Sequence, residues 1–143
     1  MILIDVNLLV YAYNAADPRF PIASKWLSEL FDSTETVCFC WETINGFIRI
    51  STNRSAMPIP MTLNESFAAV ESWLALPNAK FLTPNHDHFK AIKETSLDAN
   101  ATGGRFSDAV LAAYAISNNA VFATSDRDFR IFSKLKTIDP LTR

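Results

Sequence analysis

Apolar residues along the chain form two alternating kinds of segment, which are short continuous runs and longer stretches with helical spacing. The short runs predict β-strands at "MILID", "TVCFCW", "AKFLT", "AVFAT" and "LKTIDP". The longer stretches predict helices at "NLLVYAYNA", "FPIASKWLSELFD", "ETINGFIRISTN", "TLNESFAAVESWLAL", "PNHDHFKAIKETSL" and "RFSDAVLAAYAISNN". Glu65 follows Thr62 by three residues, and this spacing predicts a capping box at the start of the fourth helix.

Strands that alternate with helices predict the α/β class, because neighbouring parallel strands need helical crossovers. We therefore expect three layers, with a mostly parallel central sheet between helices on both faces. The 143 residues, 49% of them apolar, suit a single domain spanning residues 1–143. Cys38 and Cys40 lie two apart in a predicted strand, so we expect reduced core thiols on one face with Phe39 on the other.

Charge and hydropathy restrict the binding partners. No apolar run approaches the roughly 20 residues needed to cross a bilayer, and the amino terminus lacks a secretory signal. We therefore expect no membrane association and a cytoplasmic location. The 13 Lys and Arg against 15 Asp and Glu give a net charge of -2, so the chain as a whole does not attract nucleic acid. Any contact with phosphate must then be local.

Carboxylates follow three of the predicted strands. Asp5, Glu42 and Asp126 stand at the strand ends, and a fourth acid, Asp108, opens the last long helix. Because the carboxyl ends of parallel strands meet at one edge of a sheet, we expect these four side chains to face a common crevice. Each of them alone could instead cap a turn or a helix.

Four clustered carboxylates repel one another, and a divalent cation removes that conflict. Oxygen ligands without histidine or thiol neighbours favour Mg²⁺ or Mn²⁺ over zinc or copper. A bound cation would also let an acidic pocket accept a phosphodiester, because it polarises the phosphate oxygens and activates water. The pattern therefore indicates metal-dependent phosphate chemistry.

The order and spacing of these motifs resemble those of a known family. From "ILIDVNLLVYA" through "WETINGFIRISTN" to "GGRFSDAVLAAYAI" and "FATSDRDFRIF", nearly the whole chain resembles PIN-domain ribonucleases, and specifically VapC-type toxins of bacterial toxin-antitoxin pairs. The resemblance implies a Mg²⁺- or Mn²⁺-dependent endoribonuclease that an antitoxin of the VapB type inhibits. It also implies a homodimer whose acidic groove receives the antitoxin's tail. The implied catalytic and metal-binding residues are Asp5, Glu42, Asp108 and Asp126.

Residues around this quartet have two interpretations each. Asn7 could orient Asp5 or a metal-bound water, or cap a helix. Thr124 could support the site or merely end a strand. Asp128 is expected to cap the helical turn "FRIFSKL" or to support the site. Arg105 and Arg127 could contact RNA phosphates, or could simply be solvated.

Two other functions remain open at this point. The first is a PIN-fold module that binds protein or RNA without turnover. The second is a metal-dependent phosphatase, since "DVN" resembles the start of haloacid dehalogenase-like phosphatases. In those enzymes a second aspartate stands where this chain has Asn7, which weakens the phosphatase interpretation.

Overall fold

The central sheet of this computed structural model, which describes residues 1–142, has five strands that all run parallel. Their order across the sheet is β3-β2-β1-β4-β5, and in the centre Ile2 of β1 lies between Val37 of β2 and Val121 of β4. The strands are β1 (Ile2–Ile4), β2 (Val37–Phe39), β3 (Ala79–Phe81), β4 (Val121–Ala123) and β5 (Thr137–Ile138). The parallel sheet of the prediction is confirmed.

Six α-helices and one 3₁₀-helix connect the strands, and every predicted helix is present. They are α1 (Val6–Tyr11), α2 (Phe20–Phe31), α3 (Trp41–Ser51), α4 (Leu63–Leu74), α5 (His88–Ala99), α6 (Gly104–Ser117) and the 3₁₀-helix Arg127–Ile131. The capping box of α4 is confirmed, since Glu65 N–H donates to Thr62 Oγ1 (3.1 Å) and Thr62 N–H donates to Glu65 Oε1 (3.0 Å). Within residues 1–142, no helix is both long and apolar enough to cross a bilayer.

The sheet separates two apolar cores, because successive strand residues point to opposite faces. Ile4, Phe39 and Ala123 pack into one core with α1 to α4. The other core contains Leu3, Cys38, Cys40 and Phe122 with α6 and the 3₁₀-helix, and α5 packs on α6. Both thiols are buried and free, and they lie opposite Phe39, as the spacing predicted. The fold is therefore a three-layer α/β sandwich.

Helices α1 and α3 approach each other closely at Gly46. A Cβ atom built on Gly46 would lie 2.9 Å from Val6 Cγ2, and Val6 directly follows Asp5 at the end of β1. The missing side chain thus sets the distance between α3 and the first turn of α1.

Replacing Gly46 with alanine should therefore destabilise the protein, although alanine is the better helix former. Overpacking against the stiff, β-branched Val6 costs about 1–3 kcal/mol, whereas the gain in helix propensity is at most about 1 kcal/mol. Urea unfolding measures the difference. Gly104→Ala is the matched control, because nothing lies within 4 Å of a Cβ at that position. Equal stability of the two variants would show that α1 and α3 can separate without cost.

Candidate active site

A cleft of about 420 Å³ opens where the first turn of α1 meets α3 and α6. Three of the four predicted carboxylates line it. Its polar lining consists of Asp5, Asn7, Glu42, Asn45, Arg49, Ser107 and Asp108, and its apolar lining includes Val6, Ile50, Val110 and Leu111. The predicted convergence of Asp5, Glu42 and Asp108 on one crevice is thus present in the fold.

Asp5 is the most deeply placed acid of the cleft. It directly follows β1, occupies the N-cap position of α1 and is only 5% exposed. Its backbone N–H donates to the carbonyl of Ala123 in β4 (2.9 Å), which fixes it at the centre of the sheet edge. Burial, together with smaller effects of the nearby charges of Asp126 and Asp108, raises the pKa of the Asp5 carboxyl to about 6.

Thr124 connects Asp5 to the segment after β4. The Thr124 hydroxyl donates to Asp5 Oδ2 (2.7 Å) and accepts from the backbone N–H of Asp126 (3.0 Å). Thr124 is 4% exposed, so water cannot easily replace either partner. The bond from Thr124 lowers the pKa of Asp5 and partly offsets the effect of burial. Thr124 therefore does more than end a strand.

Thr124→Val keeps the shape of the side chain but removes both hydrogen bonds. Leaving a buried carboxylate oxygen and a backbone N–H without their partner should cost about 1–3 kcal/mol. The pKa of Asp5 should also rise, because the bond that lowers it is lost. Unfolding free energies and a pH titration measure both effects. Thr124→Ser retains the hydroxyl and is the control, so equal losses for valine and serine would contradict the role of the hydrogen bonds.

The sequence suggested that Glu42 stands at the end of a strand, but in the structure it lies in a helix. Strand β2 ends at Phe39, Cys40 is the N-cap of α3, and Glu42 lies in the first turn of that helix. The buried Tyr114 of α6 donates its O–H to Glu42 Oε1 (3.0 Å). Burial and the carboxylate of Glu42 both raise the pKa of Tyr114, so this phenol stays protonated and remains a donor.

Sequence reasoning missed Tyr114, because a tyrosine in an apolar helix is normally assigned to the core. Its partner Glu42 lies 72 residues away along the chain. No local spacing could have indicated the contact.

Asp108 and Asp126 approach Asp5 from two different elements. Helix α6 begins at Gly104, so Asp108 lies one turn inside it and does not open the helix as predicted. Burial raises the pKa of Asp108, as does the charge of Asp126, whereas Arg105 lowers it. Asp126 does not line the cleft, but its charge acts on both Asp5 and Asp108. The structure therefore places Asp126 at the edge of the carboxylate group.

In the following turn Asp126, and not Asp128 as expected, caps the 3₁₀-helix. The Oδ1 of Asp126 accepts the backbone N–H of Asp128 (2.9 Å). The carboxylate of Asp128 instead pairs with Arg105 (3.1 Å), which joins this turn to the start of α6. Arg105 is thus already engaged in an ion pair, and Arg127 is exposed on the 3₁₀-helix.

Three further side chains of the cleft come from α1 and α3. Asn7 is the second residue of α1 and exposed in the cleft, so it does not cap the helix, whose N-cap is Asp5. Asn45 and Arg49 line the cleft three and seven residues after Glu42. Sequence reasoning missed these two, although the helical spacing from Glu42 could have found them.

The donor atoms of the cleft fit a hard divalent cation. Its metal-binding side chains are carboxylates, and no histidine or cysteine lines it among the described residues. Within residues 1–142, no three acidic, histidine or cysteine side chains are grouped closely enough to hold an ion between them. Mg²⁺ keeps several of its waters and commonly binds proteins through one or two carboxylates. Asp5 with Glu42 or Asp108 would be the residues of this cleft to hold such a cation.

Known proteins share both the sequence pattern and the fold. The PIN-domain family profile matches residues 2–135. Ribonuclease VapC43 of Mycobacterium tuberculosis is 36% identical over 141 residues, which cover 99% of this chain and 96% of the relative. Ribonuclease VapC33 of the same species is 33% identical over 142 residues, with 99% of each chain covered.

Among solved structures, VapBC2 and VapC20 have the same fold at low sequence identity. VapBC2 from Rickettsia felis, solved bound to a DNA fragment from its promoter, superposes with a TM-score of 0.69 at 16% identity and covers 96% of this chain and 98% of its own. VapC20 of Mycobacterium tuberculosis, described as a Sarcin-Ricin loop cleaving toxin, gives a TM-score of 0.68 at 16% identity, with 95% and 99% covered.

Proposed function

The chain belongs to the PIN-domain family and to its VapC branch, and on this premise we propose that it is a Mg²⁺- or Mn²⁺-dependent endoribonuclease. The observation that carries the proposal is the buried Asp5, which shares one cleft with Glu42 and Asp108. A buried carboxylate with a pKa of about 6 and acidic neighbours is unfavourable on its own, and a cation is the natural complement to it.

Each residue of the cleft has a distinct task in this proposal. Asp5 is the central ligand, and the Thr124 hydroxyl holds its Oδ2 in a fixed orientation. The Tyr114 hydroxyl holds Oε1 of Glu42, and we assign Oε2 as a ligand or as an acceptor for a proton of the attacking water. Asp108 is the third carboxylate of the proposed ligand set, and Asp126 adds negative charge from the edge of this carboxylate group. A bound Mg²⁺ or Mn²⁺ supplies Lewis acidity toward a phosphodiester oxygen and lowers the pKa of water.

The proposal extends to partners and location. The relatives are named ribonucleases VapC, and VapBC2 was solved as a toxin-antitoxin complex. We place this chain likewise as the toxin of such a pair, inhibited by a VapB-type antitoxin, forming a homodimer and acting on RNA in the cytoplasm.

A cleavage assay with total bacterial RNA tests the proposal. The purified protein should produce discrete fragments in Mg²⁺ or Mn²⁺, none with excess chelator, and again fragments after the cation is restored. Hydrolysis of small phosphomonoesters without RNA cleavage would support the phosphatase alternative. RNA binding without fragments under any of these conditions would support the non-catalytic binding module. Co-purified antitoxin must be removed first, because the proposal expects it to inhibit the site.

A further inference from the structure

Helix α3 presents a row of three exposed side chains beside the carboxylates. Trp41, Asn45 and Arg49 follow one another at intervals of four residues, so they lie one above the other on a single helix face. Asn45 and Arg49 line the cleft, and Trp41 precedes Glu42 directly. We call these three residues the α3 row.

Arg49 is the basic residue of an otherwise acidic cleft. No carboxylate of residues 1–142 lies within ion-pair distance of it, whereas Arg19 is held by Asp17 (2.8 Å) and Arg105 by Asp128 (3.1 Å). A free guanidinium is suited to bidentate contact with a phosphate. Arg49 lies seven residues after Glu42, about 10 Å along the helix axis. It is therefore positioned to contact a phosphate away from the reacting one.

Trp41 is exposed to an unusual degree for its size. Trp41 is 64% exposed, and its ring approaches that of Phe81 in strand β3 in a T-shaped arrangement with centroids 5.7 Å apart. The exposure leaves most of the Trp41 surface in contact with solvent. Indole faces stack on unpaired nucleobases with little preference for sequence, and each such contact contributes strongly to binding.

We propose that the α3 row binds a single-stranded segment of the RNA substrate, with Arg49 on a backbone phosphate and Trp41 stacked on an unpaired base. From Trp41 to Arg49 the row spans eight residue steps, about 12 Å along the helix axis, which matches about three stacked nucleotides at ~3.4 Å each. Base-paired RNA cannot offer a free base face to Trp41, so the row selects loops and unpaired strands. The inference rests on the proposed action on RNA and adds which part of the RNA is held and by which residues.

Equilibrium binding tests the α3 row separately from cleavage. The Asp5→Asn variant, which we expect to cleave RNA only slowly, is titrated in Mg²⁺ into a short fluorescein-labelled single-stranded RNA and into the same sequence closed in a hairpin stem. Adding Trp41→Ala should weaken binding of the single strand about 5- to 100-fold and leave the stem unchanged. Adding Arg49→Ala should weaken binding of the single strand and reduce the slope of log K against log salt by about 0.7.

Conservative variants and matched controls separate these effects from a loss of folding. Trp41→Phe should recover most of the stacking, and Arg49→Lys most of the salt dependence. Arg54→Ala removes the same charge from an exposed loop residue, and Phe67→Ala removes a half-exposed aromatic ring from α4. Both controls should bind the single strand as tightly as the background. Circular dichroism melts confirm that each variant is folded.

The proposal for the α3 row and the proposal of nuclease activity can be rejected independently of each other. Unchanged affinity in both Trp41→Ala and Arg49→Ala, or equal loss on stem and single strand, would overturn the α3 row while leaving RNA cleavage by the parent intact. Weaker single-strand binding in both variants of a protein that never cuts RNA would support the row and reject the nuclease.

Discussion

Asp5→Asn is expected to lower the rate of RNA cleavage by about 10²-fold or more without unfolding the protein. An amide can still accept the hydrogen bond of Thr124 through its oxygen, so the geometry after β1 is retained. It cannot supply the negative charge that we assign to the central metal ligand. Loss of a single group that stabilises transition-state charge in a preorganised site typically costs about two to three orders of magnitude in rate. Initial rates on total RNA in saturating Mg²⁺ measure the effect.

Asp32→Asn is the control for the loss of one negative charge. Asp32 is exposed at the end of α2, away from the cleft lining, so this variant should cut at the parental rate. An Asp5→Asn protein that cuts as fast as the parent would reject the mechanism. A loss of rate in both variants would instead point to the overall charge of the protein.

The same substitution should stabilise the protein when no metal is bound, and the effect should depend on pH. Asp5 has a usual pKa of 3.8, which burial raises to about 6 in the folded protein. Between these values the folded state holds the proton more tightly than the unfolded chain, so stability falls as the pH rises and stays low above about 6. The shift corresponds to about 3 kcal/mol, and the new amide donors reduce the expected net gain to about 1–3 kcal/mol.

Urea unfolding in chelator, at a series of pH values from below 3.8 to above 6, measures this effect as the difference between Asp5→Asn and the parent. The difference in unfolding free energy should be small at the lowest pH and should grow as the pH rises from 3.8 to about 6. Adding Mg²⁺ at neutral pH should stabilise the parent by RT ln(1 + [Mg²⁺]/Kd) and the variant less. A difference that does not change with pH would show that Asp5 titrates normally in the folded protein.

The expected loss of cleavage and the expected gain of stability in Asp5→Asn show that activity and stability make opposite demands on this residue. The carboxylate that the proposed chemistry needs is the one whose burial makes the metal-free fold less stable at neutral pH. A second buried group, the Thr124 hydroxyl, limits that cost by donating to it. The presence of a carboxylate at Asp5 is thus explained by the proposed chemistry, since stability alone would favour the amide.

The sequence by itself determined the layers and the candidate acids. Alternation of short apolar runs with helical stretches specifies parallel strands and crossover helices, and strand parity already placed Cys38 and Cys40 opposite Phe39. Parallel strands also force Asp5 to the same sheet edge as the acids that follow β2 and β4.

The tertiary structure alone decided how the side chains of the site are held. Tyr114 reaches Glu42 and Thr124 reaches Asp5 across 72 and 119 residues of chain. The capping role of Asp126 and the engagement of Arg105 likewise depended on which neighbouring turn supplied a partner. Hydrogen bonds and ion pairs act over a few ångströms. Periodicity and spacing do not indicate which residues far apart in the sequence come that close, so these contacts can be identified only in the folded structure.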